Sequence, residues 1–306
     1  MSNTIFEATY FASQQITATF DMVWALDAGL WNLRQDAKKY FIEHPDANNI
    51  EVKNALVSGL DIHGLNPKRI ANELSWEYQE QYIAELLLLN AMAIFDTWVD
   101  SFVDSTILLQ SNVQIKKIKA DMKKGDFSSF DSAISAESTS SLSGCFRFSS
   151  QKQDTYINNL RLVYKYFKSC RNCCAHGNRR FDDRAESNYN AIKVFTKEDC
   201  GINEFPKIAA TQQGDPLKLF LRGVVDFYDV LIRIINHYDL VAAEKTCVET
   251  ELLKRWGSIP ARVLPSSEEK RNRHIRNYMT SINMCPPYVG KTTDVYSFLL
   301  ANNAIK

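Results

Sequence analysis

Apolar residues recur at steps of three and four along most of the chain, a pattern that predicts helices and little else. Ser13 reads as the cap of a first helix, with one face marked by Ile16, Phe20, Val23, Trp24, Leu30 and Trp31, interrupted by Asp27 and ending before Pro45. A short helical piece over 50–60 follows. Asn66 and Pro67, a cap and first-turn pair, open a long helix to about residue 105 that is apolar on almost every side over 84–103. Such a helix belongs at the centre of a bundle. Its polar exceptions are Glu85, Asn90, Asp96 and Asp100. Tyr156, Leu160, Val163, Phe167, Cys170 and Cys174 give a third helix one stripe to bury, and Gly177 stops it. Asp215 and Pro216 start a fourth, with Leu217, Phe220, Leu221, Val224, Phe227 and Leu231 at helical spacing.

These periods predict an all-α chain, a bundle of four or more long helices, with a small β-hairpin insertion within 190–211 where AIKVFT and FPKIAAT are short and rich in β-branched residues. The serine-dominated stretch 127–150 reads as a long loop near the functional end. The bundle is expected to occupy 1–250 and a helical extension 251–306, with a helix around SSEEKRNRHIRNYM and a closing helix from Thr293. No internal repeat is visible.

Charge narrows the function classes. Thirty-six basic residues balance thirty-six acidic ones, so the chain does not coat nucleic acid or membrane through its overall field; any RNA contact is a local patch. The lysine-rich run 115–126 offers such a patch, or a solvated helix face. The N-terminal residues show no basic region followed by an apolar run, and the apolar run over 84–95 is short and interrupted by Glu85 and Asn90. Seven cysteines at irregular spacing fit a reduced protein. A cytoplasmic protein without a membrane span is expected.

One residue breaks the third helix's pattern. With Phe167 set at zero, the apolar stripe runs from about 300° to about 60°, and Arg171 falls inside it near 40°. Burying a guanidinium costs several kcal/mol unless a carboxylate, a carbonyl or an anion meets it; ~3 kcal/mol or more is lost when such a charge is left alone. Glu85, Asp96 and Asp100 are the candidate acidic partners. Asn172 and His176 share an i, i+4 edge away from the stripe, about 140° from Arg171 in the case of His176. The bland account is a helix terminator, with His176 near the carbonyl end, Gly177 as cap and Arg171 in a structural ion pair.

The segment Arg171-Asn172-Cys173-Cys174-Ala175-His176-Gly177-Asn178 resembles the signature of the HEPN family, in which Arg, a polar residue, three further residues and His close a long helix. The likeness covers about ten residues. It implies an all-α bundle, usually a homodimer, and in many members a metal-independent endoribonuclease of toxin-antitoxin, abortive-infection or CRISPR-linked defence; other members only bind. On that likeness Arg171, His176 and Asn172 are the catalytic candidates, and Asn178, Arg179 and Arg180 the substrate-binding ones. The partners implied are RNA, a second copy completing a composite site, and an antitoxin or sensor protein.

The chemistry suits these residue types. Metal-free RNA cleavage needs a base for the 2'-hydroxyl proton, an acid for the leaving 5'-oxygen, and positive charge on the phosphate. An imidazole serves as either acid or base, and a twofold dimer supplies two. Arg171 is then the phosphate clamp and Asn172 the residue that orients the imidazole or the phosphate. No motif calls for a cofactor. Cys170, Cys173, Cys174 and His176 are zinc-ligand types but no second pair matches them, and VGKTTD near Val289 lacks the preceding glycines of a phosphate loop. A non-catalytic HEPN-like adaptor, or a sensor gripping a nucleotide, remain as alternatives.

Overall fold

A computed structural model describes residues 4–59, 61–146, 155–176, 178–257 and 264–305. Twelve α-helices are described: α1 (Glu7–Glu43), α2 (Asn49–Leu56), α3 (Trp76–Thr106), α4 (Asn112–Lys123), α5 (Ser128–Ala136), α6 (Ile157–His176), α7 (Asp183–Ile192), α8 (Lys197–Cys200), α9 (Leu221–Ala243), α10 (Cys247–Trp256), α11 (Glu268–Ser281) and α12 (Thr292–Ala301). Among the described residues there is no strand, only two isolated bridges. The fold class is all-α.

The long helices α1, α3, α6 and α9 pack side by side around one core. Its centre is aromatic: Phe167 stacks on Phe227 with centroids 4.3 Å apart, and Phe127 on Tyr238 at 5.2 Å. Leu252, Trp256, Ile275, Met279, Val295 and Leu299 of α10–α12 join the same core, and α10 runs across residue 250.

The start of α1 shows tertiary structure supplying a cap that the local sequence lacks. The helix begins at Glu7, one turn and more before Ser13, and Phe6 makes no side-chain cap. The amides of Ile5 and Phe6 donate instead to the buried Asp239 carboxylate of α9, at 2.7 and 3.1 Å, and the Glu7 amide donates to Glu251 of α10 at 3.0 Å.

Four further expectations need correction. The helix opened by Asn66 breaks: a π-helical turn spans Arg69–Glu73, and Ser75 caps α3 afresh by accepting from the Tyr78 amide at 3.1 Å. The serine-rich stretch is not all loop, because Phe130, Ala133 and Ile134 bury one face of α5; residues 147–150 lie outside the described residues. The hairpin is absent. Residues 190–200 end α7 and form α8, and the following extended segment runs over α9 so closely that a Cβ on Gly223 would stand 2.0 Å from the Lys207 carbonyl oxygen. Finally, Asp215 and Pro216 do not start α9. They pair with the chain leaving α6, Phe181 donating to the Asp215 carbonyl at 3.0 Å and Leu217 to that of Arg179 at 2.8 Å, so the helix waits until Leu221.

α3 is long and apolar enough to cross a membrane, yet half of its most apolar window is buried in the bundle. Met92, Phe95, Trp98, Val99 and Phe102 face the core.

Candidate functional site

The candidate residues cluster where α6 ends. The helix is regular through His176, and Gly177 lies outside the described residues. Asn178 and Arg179 both adopt left-handed backbone, φ 50° and 58°. An asparagine takes this at little cost; for an arginine it costs roughly 1–2 kcal/mol. The surroundings hold it there: the Arg179 amide donates to the Cys173 carbonyl at 3.2 Å and its own carbonyl accepts from Leu217.

α3 and α6 run antiparallel, and their charges pair in register. Lys168 of α6 meets Asp96 at 3.4 Å, and Arg179, past the end of α6, meets Glu85 nearer the start of α3 at 2.6 Å. Asp100 meets Lys123 of α4 at 2.6 Å, and Asp104 meets Lys119 at 2.6 Å. Every carboxylate expected to neutralise Arg171 is therefore committed to another cation: Glu85 to Arg179, Asp96 to Lys168, Asp100 to Lys123.

In that register Arg171 falls level with Ala93, where α3 offers no carboxylate. Arg171 is half-buried, its Nε is buried without a hydrogen-bond partner, and its Nη1 reaches only the Asn172 side-chain oxygen at 3.3 Å. Its charge is felt nearby. Burial pulls the Lys168 ammonium below the ordinary lysine range, Asp96 opposes this, and Arg171 adds to the lowering. Burial pushes the Tyr164 hydroxyl well up, with Arg171 acting against Asp96.

The His176 side chain is exposed and, among the described residues, makes no hydrogen bond or ion pair. Because α6 stays helical to this residue, Arg171 and His176 remain about 140° apart. One copy of the chain does not aim both at one small group. Asn172, half-buried, shares the His176 edge.

Of the substrate-binding candidates, Asn178 is exposed, while Arg180 is exposed with its Nη1 donating to the Gly214 carbonyl at 2.7 Å. Arg179 is occupied by Glu85 and lies over the Tyr82 ring, 5.0 Å from its centroid. It acts as the fastener of the helix end.

Searches of protein-family models, curated proteins and solved structures return no match to this chain.

The thiols are poor candidates for nucleophiles. Burial raises all three on α6, Cys174 to about 12 with the Glu85 carboxylate adding to the effect, which keeps them protonated at neutral pH. Among the described residues no group of three or more histidines, cysteines or acids stands ready for a metal ion.

Sequence reasoning missed Lys168 and the Glu85–Arg179 bond. Half of the signal was present: Asp96, Asp100 and Asp104 repeat at steps of four on α3, a ladder that calls for cations from its neighbours. Which lysines answer is decided by helix register, and that is not local.

Proposed function

We propose that the chain is a HEPN-type, metal-independent endoribonuclease: a cytoplasmic homodimer that cleaves RNA by 2'-hydroxyl attack, as the effector of a toxin-antitoxin or abortive-infection defence system with an antitoxin or sensor partner. One observation carries the reading. At the end of a bundle helix, a guanidinium that no carboxylate among the described residues pairs with stands beside Asn172, about one turn before an exposed histidine whose side chain no described residue engages. A half-buried cation with a donor to spare is a seat for an anion, and the phosphodiester is the anion the motif serves. The left-handed Arg179 just beyond adds backbone strain of the kind that gathers at functional sites.

In the reaction, one His176 takes the proton from the 2'-hydroxyl, whose oxygen attacks phosphorus. The 5'-oxygen leaves with a proton from the second copy's imidazole, and Arg171 bonds the non-bridging oxygens as charge builds. The products are a 2',3'-cyclic phosphate and a 5'-hydroxyl.

A second reading is favoured by the divergence of Arg171 and His176 on a single regular helix: a HEPN-like binding module in which Arg171 grips a phosphate and nothing is cut. Incubation of the purified chain with RNA in EDTA, followed by analysis of the ends, separates the two. The nuclease reading expects 2',3'-cyclic phosphates, lost in Arg171→Ala and in His176→Ala while both variants melt as the wild type does. No cleavage, 3'-hydroxyl ends, or full activity in either variant overturns it.

A further inference from the structure

The turn between α3 and α4 presents apolar side chains that the bundle does not use. Ile107 is buried, but Leu108 and Leu109 stand in solvent, as does Val113 in the first turn of α4, Leu109 at 66 % exposure and Val113 at 75 %. Another element holds the turn in place. The Leu108 and Leu109 amides both donate to one oxygen of Glu137, each at 2.9 Å, and Glu137 is buried just past α5. Lys245, beyond α9, donates to the Glu137 carbonyl at 2.9 Å. With its backbone tied down on the inside, the turn keeps its two leucines on the outside.

The sequence of this turn is free of acids. From Ser105 to Ala120 there is no aspartate or glutamate, and there are three lysines. Asp104 takes Lys119, whereas Lys116 and Lys117 are exposed and make no ion pair among the described residues. At 100° per residue Val113, Lys116 and Lys117 fall within about 100° of one another, on the face turned away from the buried Ile118. The first turn of α4 carries no acid, so no carboxylate within it opposes the positive pole of the helix. Beside this face an open cleft of about 280 Å³ separates α4 from α5, lined by Gln110, Gln114, Lys117, Ser129 and Ser132. The Ser129 hydroxyl is buried with no hydrogen-bond partner among the described residues. A buried hydroxyl left without a partner costs free energy, and a lysine, two amides and two hydroxyls with no carboxylate among them suit a phosphate oxygen.

We propose that this end of the bundle docks on a phospholipid bilayer with anionic headgroups. Leu109 and Val113 enter the boundary between headgroups and acyl chains, Lys116 and Lys117 meet the headgroup charge, and the cleft seats one headgroup phosphate. The spacing fits. Lys116 and Lys117 follow Val113 by three and four residues, about 5–6 Å along the helix axis, and interfacial apolar groups sink about 5–10 Å. Shape favours a bilayer over a protein: three side chains protrude from a turn, where a protein interface takes roughly 20–30 residues a side. The leucines favour it over RNA, whose backbone asks for cations. The balanced charge of the chain does not oppose a contact this local. Leu108 follows the C-terminal end of α3, whereas the chain past α6 is tied to Glu85, about 30 Å back along that helix, so docking leaves the Arg171 and His176 region away from the lipid.

Flotation of the full chain with vesicles tests the surface, using phosphatidylcholine alone and phosphatidylcholine mixed with phosphatidylserine. The wild type is expected to bind the mixed vesicles at least about tenfold more tightly than the neutral ones, and raised salt removes most of the difference. Lys116→Gln together with Lys117→Gln weakens binding about 25-fold. Leu109→Asp and Val113→Asp each weaken it about tenfold or more, Leu109→Ile keeps it, and Ser129→Ala weakens it about threefold. Leu109, Val113 and both lysines are exposed, so unchanged circular dichroism melts report that these variants are folded. A wild type that floats with neither vesicle, or a folded Leu109→Asp and Val113→Asp that float as well as wild type, overturns the proposal. So does binding that inorganic phosphate competes away, which makes the cleft a site for the free anion. Lysine variants that lose retention of RNA on a filter while their vesicle binding is unchanged assign the lysines to nucleic acid and overturn it as well.

Discussion

The Arg179 guanidinium stands 2.6 Å from a Glu85 carboxylate whose side chain is only 7 % exposed. The bond ties the chain just past the end of α6 to the middle of α3. Gln81 completes it, donating at 3.2 Å to the other oxygen of Glu85 and at 2.8 Å to the Leu217 carbonyl. It fixes the register in which Arg171 is left without a carboxylate.

Removing Arg179 strands a buried carboxylate. Because the guanidinium itself is 41 % exposed, the penalty falls below that of a fully buried pair, and Arg179→Ala is expected to lower stability by about 1–2 kcal/mol. Urea unfolding of Arg179→Ala, Glu85→Gln and the double variant measures it. The double variant should lose less than the two single losses combined. Strict additivity would mean that the contact contributes nothing.

Gly223 lets the segment around Lys207 lie directly on α9. A methyl group there would meet the Lys207 carbonyl oxygen at 2.0 Å, and the obstacle is backbone, which does not rotate away. Gly223→Ala ordinarily stabilises a helix by up to about 1 kcal/mol; here it is expected to destabilise by about 1–3 kcal/mol. Thermal unfolding decides the sign, and a raised midpoint would show that the segment is not held against the helix.

Asp239 couples pH to the anchoring of α1. It is buried, and desolvation lifts its carboxyl to about 6 against the bonds from Ile5 and Phe6, which act to lower it. The protonated form binds the fold better than the unfolded chain does, so this group's contribution is complete below about pH 3.8 and is lost as pH rises through about 6. Asp239→Asn removes that titration. Between pH 7 and pH 5 the wild type is expected to gain stability relative to the variant; a constant difference in melting midpoint across that range would contradict the shifted carboxyl.

Much of the helical architecture was legible because burial of a stripe demands a period, and the period is written locally: α3, α6 and α9 and the end of α1 before Pro45 follow from it. So was the arginine out of place on α6. The missed elements share a cause. Phe127 and Phe130 packing on α3 and α9 turned a polar-looking stretch into α5, Asp239 capped a helix from more than two hundred residues away, and Asp215 was taken from α9 by pairing with Phe181.

The amino-acid order by itself determined that Arg171, Asn172 and His176 close a helix, since spacing along a helix is a property of the chain. Only the packing of α6 against α3 decided which charges are spent and which are left over. An ion pair needs two side chains within a few ångströms, and register between distant helices is set by the whole core. That is why three lysines and Arg179 find carboxylates while Arg171, level with Ala93, finds none among the described residues.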